Sequence, residues 1–177
     1  AARLAARGAL RAGAGLVTVA SPREALAVNA AALTAVMVRA VDTPIEFAEL
    51  LDDRRFNTCV IGPGAGISER TRDFVHTALS ARKHLVLDAD ALTSFAELPD
   101  RLFESIKASA DPQVVLTPHE GEFPRLFSDI SNKNPGRSKL ERVRTVVVIY
   151  AAVATAATAT AVPIRRSRER TIRDATG

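Results

Sequence analysis

The feature that most constrains this chain is a regular alternation, from the first residues to about residue 127, of helical stretches with short β-branched runs. Leu16–Ala20, Thr34–Val38, Asn57–Gly62, His84–Asp88 and Gln113–Thr117 read as strands. Between them the Ala/Leu/Arg-rich opening reads as a helix that stops at Gly13 or Gly15. Further helices are expected from Ser21-Pro22 onward, over Ile45–Asp53, Ser68–Ala81 and Ala91–Ile106, and from Glu122 to Phe127, with a turn at Pro118–Gly121. Strands that alternate with helices pair in parallel, so the expected class is α/β, a mostly parallel sheet with helices on both faces. In such sheets ligands bind beyond the carboxyl ends of the strands. Three loops leaving those ends are rich in Gly, Pro, Asp and His, which points to one shared cleft.

Composition narrows the function classes. At 177 residues and 47% hydrophobic, the chain can bury the core of one domain. Its single cysteine, Cys59, excludes an internal disulfide framework and reads as a small buried hydrophobe inside an apolar run. His76, His84 and His119 are too widely spaced to suggest a metal cluster. No stretch is apolar and long enough to span a membrane, and the first residues do not read as a signal peptide, so a cytoplasmic location is expected. Ala1 is not a starting methionine, which suggests a chain beginning inside a longer sequence. Residues 1–132 carry 14 Lys/Arg against 17 Asp/Glu, and residues 133–177 carry 10 against 3. The basic character therefore belongs to the tail, which lacks the interleaved aromatics of a nucleic-acid reader; no nucleic-acid role is expected.

Three segments can carry chemistry. Gly62-Pro63-Gly64-Ala65-Gly66 is a glycine-rich loop ahead of a helix, where a bare backbone can approach a pyrophosphate-bearing ligand. Its spacing is neither a P-loop nor a dinucleotide fingerprint, and a plain strand-to-helix turn reads equally well. Asp88 and Asp90 stand at a strand's end, where two carboxylates can hold magnesium through water, orient a hydroxyl, or cap the next helix. In Thr117–Phe123 (TPHEGEF), Pro118 and Gly121 shape a tight turn that holds His119 at the sheet's edge. An imidazole there can donate to a phosphate or ribose oxygen, or simply be an exposed turn residue. Glu120 then serves as a first-turn acid.

Taken in order, GALRAGAGLVTVASP, NTCVIGPGAG, HLVLDADAL and VVLTPHEGEF resemble the ADP/ATP-dependent NAD(P)H-hydrate dehydratase family over roughly residues 1–148. The resemblance implies a ribokinase-like fold and the repair of hydrated NADH or NADPH. A nucleotide, ADP or ATP with Mg2+, phosphorylates the ring hydroxyl, and elimination of phosphate restores the dihydronicotinamide. It implies substrate contacts at Ala1, at Gly64 with Gly62 and Gly66 beside it, and at His119, with Asp88 and Asp90 on the matching strand end. Glu120 stands where the family usually has proline.

Other parts of the family pattern are missing from these residues. The glycine ahead of the first helix, the first strand and its Gly-Ser loop have no match. Tyr150-Ala151-Ala152 stands where an adenylate-binding Lys-Gly loop should follow a strand at Thr145–Ile149. No Gly-Ser/Thr-Gly-Asp segment is present to supply the anion hole and the base, so no catalytic residue is assigned. The expectation is an incomplete domain over 1–150, with a surface loop at 132–139 and a helix–strand pair restarting at Leu140–Val148. A low-complexity basic tail over 151–177, disordered or produced by a frameshift near Val148, would follow. Two rival readings are a small-molecule kinase of the same fold, such as a hydroxyethylthiazole or hydroxymethylpyrimidine kinase, and a non-catalytic binding remnant. A second copy of the chain is a candidate partner.

Overall fold

The computed structural model describes residues 1–109, 113–128 and 138–146. It divides into two compact units, Ala1–Ser138 and Lys139–Gly177. Of the second unit only a helix over 139–146 is described. The expectations for the loop at 132–137, for the strand end beyond residue 146 and for the tail lie outside the described residues, as does the boundary drawn at 150.

The first unit runs α1 (Ala2–Arg11), β1 (Thr18–Ser21), α2 (Arg23–Ala32), β2 (Met37–Ala40), α3 (Pro44–Leu51), β3 (Thr58–Ile61) and α4 (Glu69–Ser80). It continues through β4 (His84–Leu87), α5 (Asp90–Ser94), α6 (Pro99–Ala108), β5 (Val114–Leu116) and α7 (Phe123–Leu126). Every strand pair is parallel, in registers such as Val19 beside Val38 and Ile61 beside Leu87 beside Leu116. The α/β class is therefore as the alternation implied. Among the described residues the strands form two sheets rather than one, β1-β2 and β3-β4-β5. Alternation dictates parallel pairing but not which strand edges meet. Helix α3, which follows the first sheet, packs instead on α4 of the second, with Phe47 and Phe74 edge to face at 5.3 Å.

Local chemistry explains the element ends. Helix α1 closes in a Schellman motif: Gly13 takes φ 105°, its N–H donates to the Leu10 carbonyl, and the Ala14 N–H donates to that of Ala9. Helix α4 ends the same way, with Arg82 instead of glycine in the left-handed position at φ 55°. Thr43 and Glu46 form a reciprocal capping box at the start of α3, and Ser68 caps α4. The single helix expected over Ala91–Ile106 is two, α5 and α6. Pro99 is the reason, because the residue before a proline is pushed out of the helical region and Pro99 itself starts α6. Strands expected at Leu16–Ala20 and Thr34–Val38 sit one to three residues later, at β1 and β2, where the ladder bonds form.

The larger core lies on one face of β3-β4-β5. Leu85, Leu87, Val75, Ala78, Ala91, Leu92, Phe95 and Leu102 are all at most 1% exposed there. The opposite face leaves Val60 and Val115, on either side of Val86 in register, at 52% and 53% exposed, so coverage of the two faces is uneven. A smaller cluster of Ala6, Val19, Leu33 and Val36 ties α1 and α2 to the first sheet.

Candidate active-site edge

Because β3, β4 and β5 are parallel and in register, their carboxyl ends deliver three loops to one edge. The contact between the first two loops is built from backbone. Gly62 has φ 133°, and a Cβ added there would fall 1.7 Å from the Asp88 carbonyl oxygen. The absent side chain of Gly62 thus makes room for the chain's own β4 terminus. Gly64 and Gly66, at φ 81° and 83°, face open space, so there glycine serves the backbone conformation and leaves an accessible surface.

Each aspartate is committed on one side. The Asp90 carboxylate accepts the Gly66 N–H at 2.9 Å, and Asp88 Oδ1 accepts the Thr117 hydroxyl at 2.9 Å. Asp88 thereby joins β4 to β5, and Asp90 joins α5 to the glycine loop. Between them Ala89 takes φ 45° and ψ −116°, a region open in practice only to glycine, so the turn that splays the two carboxylates is strained. The loop is also held from behind. The buried Thr71 hydroxyl donates to the Gly66 carbonyl at 2.6 Å, and Ser94 Oγ accepts the Ser68 N–H at 3.2 Å while donating to the Asp90 carbonyl at 2.6 Å.

This bracing changes what the loop can bind. Pro63 has no N–H, the Ala65 N–H donates to the Gly62 carbonyl, and the Gly66 N–H is taken by Asp90. A pyrophosphate at the Gly66 end would meet a carboxylate instead of free donors. The Asp90 end suits hydroxyl or amide groups better, since a carboxylate accepts from them and repels an anion. The magnesium implied by the resemblance is not matched by a protein-held site: among the described residues no three His, Cys, Asp or Glu side chains cluster to hold a metal.

His119 is held by its own turn. Its Nδ1 accepts the Gly121 N–H at 2.9 Å, so the ring proton belongs on Nε2, which lies 3.1 Å from Glu122 Oε1. The nitrogen expected to donate to a ligand oxygen therefore lies beside the Glu122 carboxylate. The ring itself is 72% exposed. Ala1 stands apart in sequence and in contacts, exposed at the start of α1, its carbonyl accepting the Leu4 and Ala5 N–H groups. Nothing described joins it to the three loops.

Two other groups lie off this edge. Cys59 is half-buried, and desolvation pushes its thiol up to about 11, with the Lys83 charge opposing weakly. A shallow open depression of about 600 Å³ lies between α3 and α4, lined by Pro44, Ala48, Asp52, Asp73, His76 and Thr77 among others. It borders the carboxyl-terminal half of α4, which runs away from the strand ends, so none of the three loops reaches it. Sequence reading did not single out Thr71, Ser94 or Glu122. Each has a local signal: a hydroxyl three residues after the Ser68 cap, a serine four after Asp90, and a glutamate three after His119.

Fold and edge define an α/β protein of parallel strands that gathers its polar loops at their carboxyl ends. A family model described as NAD(P)H-hydrate dehydratase matches residues 1–172. The chain belongs to the NAD(P)H-hydrate dehydratase family. It is 33% identical to the bifunctional NAD(P)H-hydrate repair enzyme Nnr of Coxiella burnetii, over 85% of this chain and 28% of that protein. It is 35% identical to the Nnr of Escherichia coli, over 71% and 22%. An ATP-dependent (S)-NAD(P)H-hydrate dehydratase of Puccinia graminis is 38% identical over 49% and 24%. The chain thus spans about a quarter of the curated relatives it matches. The solved structure of Bacillus subtilis YxkO, of the UPF0031 family, shares the fold with a TM-score of 0.52 and 24% identity, over 76% of this chain and 47% of that one.

Proposed function

We propose that this chain carries the substrate-facing edge of an NAD(P)H-hydrate dehydratase, the enzyme that restores hydrated NADH or NADPH at the expense of ATP or ADP. The observation that supports it is the junction of the Gly62–Gly66 loop, Asp88, Asp90 and Thr117 at one sheet edge, in a chain of this family. The hydrated nicotinamide ring offers a hydroxyl and a carboxamide, and its ribose offers hydroxyls. These are the donors that the Asp90 end accepts. Gly64 and Gly66 leave open surface beside it, and His119 brings an exposed ring from the next loop. Ala1 and Gly62 belong to the reading with different weight: Ala1 through the family match, and Gly62 as the residue that lets β4 close on the loop.

The nucleotide side is weaker in these residues. No Lys-Gly loop follows residue 149, and no Gly-Ser/Thr-Gly-Asp segment is present in the 177 residues. The polypeptide 1–177 is therefore a binder of the dinucleotide more than a binder of ADP or ATP. Isothermal titration of the purified chain checks this. Hydrated NADPH should bind more tightly than either nucleotide, and His119→Ala should weaken it by about 0.5–1.5 kcal/mol, the scale of one neutral contact. Tighter binding of ADP or ATP than of the hydrated dinucleotide would overturn the assignment.

A further inference from the structure

We infer that Glu122 is the positioning residue of the His119 contact: it fixes the imidazole's orientation and its tautomer. The inference rests on the reading of His119 as a substrate contact and deepens it. Glu122 is 6% exposed, and both its carboxylate oxygens are turned to one residue. Oε2 accepts the His119 backbone N–H at 3.0 Å, and Oε1 lies 3.1 Å from the imidazole Nε2. On the other side of the ring, the Gly121 N–H donates to Nδ1 at 2.9 Å. That donation requires an unprotonated Nδ1, so in the neutral ring the proton sits on Nε2, the nitrogen that lies beside the carboxylate. Gly121 is part of the same device, since a Cβ there would stand 2.9 Å from the His119 ring. The result is a ring anchored at Nδ1 and flanked by a carboxylate at Nε2, with most of its surface exposed.

A bland role exists for the same residue. An acid three residues after a helix-starting position commonly caps that position's backbone N–H, and glutamine does the job equally well. The two roles separate at Glu122→Gln. The amide has one acceptor oxygen: it can take the backbone N–H, but then its NH2 group faces the Nε2 proton. A capping role survives this change; the tautomer lock does not.

The experiment is two-bond 1H–15N correlation of the His119 imidazole in the full chain, assigned by loss of the signal in His119→Ala. The neutral wild-type ring should show the Nε2–H tautomer, and neutral Glu122→Gln should show a mixture of tautomers. Hydrated NADPH should bind Glu122→Gln about 2- to 10-fold more weakly, a change of one hydrogen-bond scale. The double variant with His119→Ala should bind no more weakly than His119→Ala alone. A mixed tautomer in the wild type, or an unchanged one in Glu122→Gln, would overturn the positioning role. The wild-type spectrum tests it even where the variant does not fold. If the tautomer responds as expected while His119→Ala leaves dinucleotide binding intact, the positioning role stands and the substrate reading of His119 fails instead.

Discussion

At the scale of single residues, the glycine-rich loop holds glycines of different kinds. Gly62 stands where any side chain would drive into the Asp88 carbonyl, whereas Gly64 faces open space. Gly62→Ala should therefore cost at least about 3 kcal/mol, combining strained φ with a clash that backbone must relieve. Gly64→Ala should cost only about 1–2 kcal/mol, from its left-handed conformation alone. Urea denaturation of the two variants checks the ordering, and equal losses would mean that β3 and β4 do not meet as described. Ala89 carries the reverse lesson. Its φ of 45° with ψ −116° is strained for any residue with a Cβ, so Ala89→Gly should raise stability by about 1 kcal/mol. The same change should loosen the pair of aspartates on either side of it. His76 lies against the Phe95 ring at 5.6 Å and the Ser105 hydroxyl at 3.1 Å. Burial, the leading cause, lowers its pKa below 6.5, while Asp73 raises it and Arg101 and Arg72 lower it. The unfolded chain then binds the proton more readily than the folded one. Stability should fall as pH drops below about 6.5, and His76→Gln should flatten that slope, as read by denaturation at pH 5.5 and 7.5.

At the scale of elements, most of what the sequence announced was local and came out locally. The Schellman end of α1 was legible from Gly13, the start of α4 from Ser68, and the break between α5 and α6 from Pro99, though the last was read as helix interior. Helix α4 shows where evolution did not use the favoured residue. Arg82 fills its left-handed closing position at φ 55°, a position that glycine occupies without steric cost. Arg82→Gly should raise the melting temperature, by about 0.5–1 kcal/mol of stability at that site. No change or a loss would point to a contact of the Arg82 side chain that outweighs the strain. The bracing of the glycine loop was only partly legible: Thr71 and Ser94 stand at local spacings, but the bonds between Ser68 and Ser94 and between Gly66 and Asp90 join residues 26 and 24 positions apart. Composition and periodicity carry no trace of such pairings.

At the scale of the whole molecule, the family and the parallel α/β fold are shown. One anion-hole donor is worth about 10²–10³ in rate, and no Gly-Ser/Thr-Gly-Asp string stands in the 177 residues to supply donors and base. Residues 1–177 alone should give no measurable restoration of NADPH absorbance from its hydrate with ATP or ADP. Turnover near that of an intact relative would show that another group serves as the base.

By itself the sequence determined the class of fold, because strand and helix periods are written in consecutive residues and parallel pairing follows from their alternation. It also determined which loops are chemically rich, since Gly62–Gly66, Asp88, Asp90 and His119 are visible as residue types at strand ends. Only the tertiary structure decided how those residues are spent. Gly62 admits a carbonyl of its own chain, Asp90 uses an oxygen on Gly66, and His119 turns its nitrogens to Gly121 and Glu122. It also decided that the described strands form two sheets. The physical reason is clearest at the loop: a polar group that must be satisfied finds its partner in space, and packing across the fold brings Asp90 to Gly66, whereas His119 meets partners two and three residues further along the chain.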